Sequence, residues 1–143
     1  MKVIGLASDH NGIVLKEKMR LFLKEEGFVT IDIGPYDIEK KVDYVDYANQ
    51  LSQMIANKDL DGGILICGTG IGMSIAANRH SHIRAALCTD EDMARLSRQH
   101  NDANVLVIGG RTTSLNSAKK IIDVFVSTEF EKGRHTKRLK KIS

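Results

Sequence analysis

Gly63-Ile64-Leu65-Ile66-Cys67-Gly68-Thr69-Gly70-Ile71-Gly72 is the stretch on which the reading of this chain turns. Its first half is an uninterrupted apolar run ending in Cys67, the pattern of a strand covered on both faces in a parallel sheet. Its second half places glycines at 68, 70 and 72, which let the backbone fold tightly and turn several N–H groups inward. A helix is expected directly after it, through Met73–Asn78. Amides gathered at the start of a helix stabilise negative charge, either on a bound anion or developing during a reaction.

The same alternation of strand and helix extends outward in both directions. Lys2–Ala7, Phe28–Ile33, Ile83–Cys88 and Asn104–Ile108 read as further strands, being short, apolar and rich in β-branched residues. Between them, apolar residues recur at helical spacing: Leu15, Met19, Phe22 and Leu23, then Ala48, Leu51 and Ile55. Asp90–Gln99 reads as helical, and Ala118, Ile121, Ile122 and Phe125 mark the last core-facing helix. Gly27 is expected as the C-cap of the first helix, and Gly34-Pro35 opens a loop. Strands alternating with helices specify βαβ units with right-handed crossovers. The expectation is a three-layer α/β domain with a five-stranded parallel sheet.

One domain spanning 1–143 accounts for the chain, since 143 residues with 42% apolar and 27% charged side chains can close one core. No apolar run approaches the roughly 18–20 residues that cross a bilayer, and the N-terminus carries no signal-peptide pattern. The two cysteines, Cys67 and Cys88, form no Cys-x-x-Cys pair and no disulfide framework. A reduced, cytoplasmic domain with no membrane association is expected. The net charge of +3 is unevenly placed: six of the 21 lysines and arginines but one of the 18 acids fall in 131–143. A solvated terminal helix, a phosphate-binding segment and a nucleic-acid footprint all fit that distribution.

In an open parallel sheet, ligands bind beyond the carboxyl ends of the strands. That rule selects Ser8-Asp9-His10, Cys67 to Gly72, Thr89-Asp90 and Gly109-Gly110-Arg111. Three familiar phosphate motifs are excluded at Cys67–Gly72. A Walker A loop needs Gly-Lys-Ser/Thr, where this chain has Gly72-Met73-Ser74. The dinucleotide fingerprint needs a small third residue where Met73 stands. A Cys-x5-Arg phosphatase needs arginine at 73.

What remains is a cysteine at a strand end beside backbone donors, surroundings that favour the thiolate. Cys88 ends an apolar strand with no glycine nest and reads as a buried structural residue. His10 faces the expected crevice. His100 closes the fourth helix at the opposite edge of the sheet, so any role it has serves a neighbouring subunit. His80 and His82 read as solvated loop residues. The histidines are scattered, with no metal-ligand spacing.

Together these segments resemble the B-type ribose-5-phosphate isomerases, within a sugar-phosphate isomerase group that includes galactose-6-phosphate isomerase subunits. The resemblance runs nearly end to end. It is carried by Ser8-Asp9-His10, Val42-Asp43-Tyr44, Gly63 through Asn78, Ile83 through Cys88, Ala94-Arg95, Arg98 through Asn104, and Phe130 through His135. It implies a Rossmann-like fold, a homodimer or dimer of dimers sharing its sites, a C-terminal helix reaching the partner, and no metal or organic cofactor. It also implies reversible conversion of an aldose phosphate into its 2-ketose, in the pentose phosphate pathway.

Position by position, Cys67 matches the proton-transferring base, and the backbone of Gly68, Gly70, Ile71 and Gly72 matches the anion hole. His100 and Asn101 match residues lent by the partner. Asp9 and Tyr44 match sugar contacts, and His10, Arg111, Arg134 and Arg138 match phosphate contacts. His100 and Asp9 are the expected pair for ring opening, with Thr69 as proton relay. Two departures stand out: Val45 follows Tyr44 where the family has proline, and Arg79-His80-Ser81-His82 replaces a more apolar turn. Three other readings stand beside this one. They are an isomerase of a six-carbon sugar (allose or galactose 6-phosphate), a non-catalytic sugar-phosphate sensor, and a nucleic-acid binder acting through the basic terminus. The last lacks any recognisable reading motif.

Overall fold

The uninterrupted apolar run at Gly62–Cys67 folds as β3, the middle strand of a five-stranded parallel sheet of order β2-β1-β3-β5-β4. The computed structural model describes residues 1–142. In chain order the elements are β1 (Val3–Ser8), a 3-10 turn (His10–Gly12), α1 (Ile13–Glu25), β2 (Val29–Gly34), α2 (Tyr44–Ala56), β3, α3 (Ile71–Ala77), β4 (Ala85–Leu87), α4 (Glu91–Asn101), β5 (Val105–Gly109), α5 (Leu115–Ser127) and α6 (Arg134–Ile142). This is the expected three-layer, Rossmann-like α/β arrangement.

Both faces of the sheet are covered at its centre, so β3 and β5 show no polar–apolar alternation, whereas the edge strand β2 (Val29-Thr30-Ile31-Asp32-Ile33) does. Ile64 and Ile66 of β3 point into one apolar layer with Met19, Leu23, Ile121 and Phe125 of α1 and α5. Leu65 and Cys67 point into the other, with Ala48 and Leu51 of α2 and Met73 and Ala77 of α3. Each fully buried leucine or isoleucine contributes about 1.5–3 kcal/mol of transfer free energy. Gly63 is small for a reason: a Cβ there would meet Leu51 Cδ1 at 2.6 Å, so its absence lets α2 lie close against β3.

Helix ends follow the chemistry of their residues. Asp43, Asp90 and Ser114 cap α2, α4 and α5, their side chains accepting from Val45 N, Met93 N and Ser117 N. Glu26, not Gly27, is the C-cap of α1; Gly27, at φ +95°, takes the left-handed position one residue beyond it. Its N–H donates to Lys24 O and that of Phe28 to Leu23 O, a Schellman ending.

One strand is shorter than expected. β4 spans only Ala85–Leu87 rather than Ile83–Cys88. The Asn78 side chain takes both backbone groups of Ala85 (Ala85 N to Oδ1 2.8 Å, Nδ2 to Ala85 O 2.9 Å), and Asn104 Oδ1 accepts from Arg84 N (2.8 Å). Asn78 thus pairs with a residue inside β4 and Asn104 takes the N–H just before it, while Cys88 N still donates to Val107 O (3.1 Å). Among the described residues no helix is long and apolar enough to cross a membrane.

The strand order reverses between β1 and β3, with β2 to one side and β5 and β4 to the other. Ser8 pairs in register with Ile66, and Cys67 with Gly109. The ends of β1, β3 and β5 therefore open onto one place, the switch point where α/β sheets bind ligands.

Candidate active site

Cys67 ends β3 at the boundary between the apolar layer under α2 and α3 and the polar loop that follows. Only 5% of the residue is exposed. The loop is held to its neighbour by two backbone hydrogen bonds, Gly110 N to Cys67 O (2.7 Å) and Arg111 N to Gly68 O (2.9 Å). Gly70 then takes the left-handed conformation, φ +81°, and becomes the N-cap of α3. A side chain there would strike Leu87 Cδ1 and the Gly109 backbone, so glycine is required both for φ and for space.

The turn leaves donors free. Among the described residues, the N–H groups of Gly68, Thr69, Gly70 and Gly72 donate to no atom of the chain, while Ile71 N donates to Thr69 Oγ1 (3.3 Å). Unengaged amides at a helix start make a concentrated patch of positive potential. Of the four residues matched to the anion hole, Gly68, Gly70, Ile71 and Gly72, only Ile71 has its N–H already engaged among the described residues.

Three elements bring side chains to this loop. Tyr44, the first residue of α2, lies over Gly72, its Cζ 2.6 Å from where a Cβ would stand. Arg111 follows β5 and runs beside Gly68, its Nε 3.6 Å from the corresponding position. From β1 come Asp9 and His10. Asp9 is buried, and its Oδ1 accepts from Asn11 N (2.9 Å) and Gly12 N (3.2 Å), capping the 3-10 turn. One carboxylate oxygen thus does structural work. His10 Nδ1 accepts from Val42 N (3.3 Å), tying the end of β1 to the loop before α2. The opposite ring nitrogen, Nε2, takes no part in that bond.

The remaining candidates gather elsewhere. His100 and Asn101 end α4 just before β5, at the edge of the sheet opposite Cys67, as expected. α6 packs against α4 and brings Arg134 and Arg138 to the same region, both exposed. There the rings of His100 and His135 stack, centroids 4.3 Å apart and planes 17° from parallel. Burial, followed by the charge of Arg134, holds the His135 pKa below the ordinary histidine value.

The single chain therefore carries two separate groups: Asp9, His10, Tyr44, Cys67, Thr69 and Arg111 around the glycine loop, and His100, Asn101, Arg134 and Arg138 at the other end. Cys88 matches its structural reading. It is 1% exposed, and desolvation pushes its thiol pKa up to about 11.

Two readings of the histidines need correcting. His80 and His82 are not simply solvated: His80 Nε2 bonds Asn49 Oδ1 (2.8 Å) and His82 Nε2 bonds Ser52 O (2.7 Å), pinning their turn to α2. Nor are all histidines scattered. His100, Glu131 and His135 bring three ligand-type atoms within 4.8 Å of one another. Glu131 and His135 stand at i,i+4 spacing, but His100 joins them from 31 and 35 positions away, which linear spacing does not show. The sequence reading also missed Ser8 as a buried polar group: its hydroxyl is fully enclosed, with no hydrogen-bond partner among the described residues.

A cysteine, unengaged loop amides and an arginine thus meet at a sheet switch point, the arrangement of an α/β protein with a site for an anionic ligand. The chain belongs to the Ribose/Galactose Isomerase family, whose model matches residues 4–142. It is 46% identical over 143 residues to ribose-5-phosphate isomerase B of Escherichia coli, an alignment covering all of this chain and 95% of that one. Its fold superposes on a ribose 5-phosphate isomerase from Thermotoga maritima with a TM-score of 0.95 and 51% identity, covering 99% of this chain and 97% of that one. The type B ribose 5-phosphate isomerase of Trypanosoma brucei superposes with a TM-score of 0.95 at 44% identity, covering 99% and 97%.

Proposed function

We propose that this chain interconverts ribose 5-phosphate and ribulose 5-phosphate through an enediolate, in a crevice formed by Cys67 and its glycine loop. The observation that carries this reading is the juxtaposition at one strand end of Cys67, four amides without acceptors, Tyr44 and Arg111. Its naming rests on relatives that bear this activity across their full length.

The chemistry follows from what each group can do. The sugar ring opens first, for which Asp9 and a His100 from a second copy form the acid–base pair and Thr69 relays the proton. Cys67 then removes the proton at C2 of the open aldose, and the electron pair moves toward the C1 carbonyl. The enediolate oxygens face the amides of Gly68, Gly70 and Gly72. Fixed donors of this kind, removed singly, cost about 3–4 kcal/mol in comparable sites. Cys67 returns the proton to C1 while the O2 proton passes to O1, giving the 2-ketose. Positioned proton transfer adds about 10²- to 10⁴-fold. The substrate is rearranged without net oxidation.

The phosphate lies away from the reacting carbons, where Arg111 and His10 offer donors and the guanidinium fork grips two oxygens at once. His100, Asn101, Arg134 and Arg138 complete the pocket from a second copy, delivered by α4 and α6. Support for that arrangement comes from their placement at the opposite end of the sheet and from exposed apolar side chains on α3 and α4 (Ile71, Ile75, Met93, Leu96), which a partner would cover. The dianionic substrate and two free thiols support a place in the cytoplasm.

Mixing tests the shared site. Cys67→Ala and His100→Ala are each inactive, and after subunit exchange the mixture recovers part of the activity because some hybrid dimers regain one complete site. No recovery despite proven exchange contradicts the arrangement.

A further inference from the structure

The cluster at the far end of α4 has a chemistry that the isomerase reading does not use in full. His135 is 3% exposed, and its Nε2 is enclosed without a hydrogen-bond partner among the described residues. The nearest acceptor, Glu131 Oε2, stands at 3.4 Å. His100 stacks on the same ring. The backbone holds the group together: Glu131 N donates to Gln99 O (3.1 Å), His135 N donates to Lys132 O (3.2 Å), and α6 lies against α4. A buried imidazole nitrogen with an unfilled lone pair or proton, converging on a second imidazole and a carboxylate, is a donor set awaiting an occupant.

We propose that His100, Glu131 and His135 form a binding site for a divalent cation of the zinc type. Two imidazoles and one carboxylate with a fourth position left to water is the ligand set of many tetrahedral zinc sites. Nitrogen donors select zinc, cobalt or nickel over magnesium and calcium, which prefer all-oxygen shells.

The present separations, up to 4.8 Å between donor atoms, exceed the roughly 3.4 Å edge expected around zinc with bonds of about 2.0–2.1 Å. The donors must therefore draw in by about an ångström. His135 is fixed by burial. Glu131 is exposed and lies outside regular structure, and His100 is half-buried at a helix end, so both can move. Arg134 and Arg138 stand close and oppose a cation, which sets the affinity below that of a dedicated structural zinc site. Occupancy engages His100. The effect on turnover therefore rests on the role given to His100 above, whereas the binding itself does not.

The test is titration of the full-length protein with Co²⁺, a visible-absorbing substitute for Zn²⁺. One Co²⁺ per chain is expected, with intense tetrahedral bands, displaced by Zn²⁺ and not by Mg²⁺. Glu131→Gln and His135→Gln each weaken binding at least tenfold, and Cys67→Ser leaves it unchanged. Glu131→Gln, at an exposed side chain, serves should His135→Gln fail to fold. Zinc inhibits turnover by the native chain, and Glu131→Gln retains basal turnover while requiring at least tenfold more zinc for the same inhibition. Absence of saturable binding overturns the site, as does affinity unchanged in Glu131→Gln or bands lost only in Cys67→Ser. A chain that binds Co²⁺ as described but turns over no sugar phosphate would count against the isomerase reading alone.

Discussion

The ring of Tyr44 fills the space that a side chain at Gly72 would need, so that a Cβ there would lie 2.6 Å from Cζ and 2.9 Å from the hydroxyl oxygen. The contacted atoms are the far end of a side chain that is 38% exposed, which can swing away at small cost. Alanine also favours a helix over glycine by about 1 kcal/mol. Gly72→Ala is therefore expected to melt within a few degrees of the native protein, while KM for the sugar phosphate rises about 10- to 100-fold as Tyr44 leaves its place. Thermal melting beside steady-state kinetics separates the two effects.

Gly70 gives the opposite balance. Its φ of +81° and the approach of Leu87 Cδ1 (2.5 Å) and Gly109 N (3.2 Å) to a would-be Cβ leave no cheap adjustment. Left-handed backbone alone costs a non-glycine residue about 1–2 kcal/mol. Gly70→Ala is expected to lose at least about 2 kcal/mol in urea denaturation, as well as its activity.

Arg111 is exposed and lies beside Gly68, and among the described residues no acid pairs with it in a salt bridge. Arg111→Met keeps much of the aliphatic stem and removes the fork. Charge-assisted hydrogen bonds contribute about 1.5–3 kcal/mol, so kcat/KM should fall roughly 10- to 150-fold with Tm unchanged. Inhibition by inorganic phosphate should weaken in parallel.

Cys88 links stability to alkaline pH. Its thiol titrates near 11 when folded against 9.0 unfolded, because burial disfavours the thiolate. Between those values the folded chain holds more protons than the unfolded one, so stability falls as pH rises from about 9 to about 11. Cys88→Ala, which cannot ionise, should show a shallower decline over that window in denaturant titrations. At pH 8, iodoacetamide should label Cys67 and leave Cys88 unmodified, as peptide mass mapping would show.

Much of this was legible in sequence because the signals were local. The run ending at Cys67 announced a strand buried on both faces, and both apolar layers meet it. Gly27 and Gly70 marked a helix end and a tight turn that no other residue would make as cheaply. The strand ends alone put Asp9, His10, Cys67 and Arg111 on one side of the sheet, and the register of β1, β3 and β5 agrees with that. What stayed hidden depends on partners distant in the chain. The side chains of Asn78 and Asn104 bond the backbone at the start of β4, His80 and His82 are held by α2, and Asp9 spends one oxygen on a cap. The meeting of His100 with Glu131 and His135 depends on how α6 packs on α4, which no spacing encodes.

Deuterium transfer from solvent reads the proposed base most directly. With ribulose 5-phosphate in D₂O, the native protein should place one deuterium at C2 of the ribose 5-phosphate formed. Cys67→Ala, with an unchanged circular dichroism spectrum, should lose that incorporation by at least about 10³-fold. Incorporation by Cys67→Ala at the native rate would show that another group moves the proton, and the account of this crevice would be wrong.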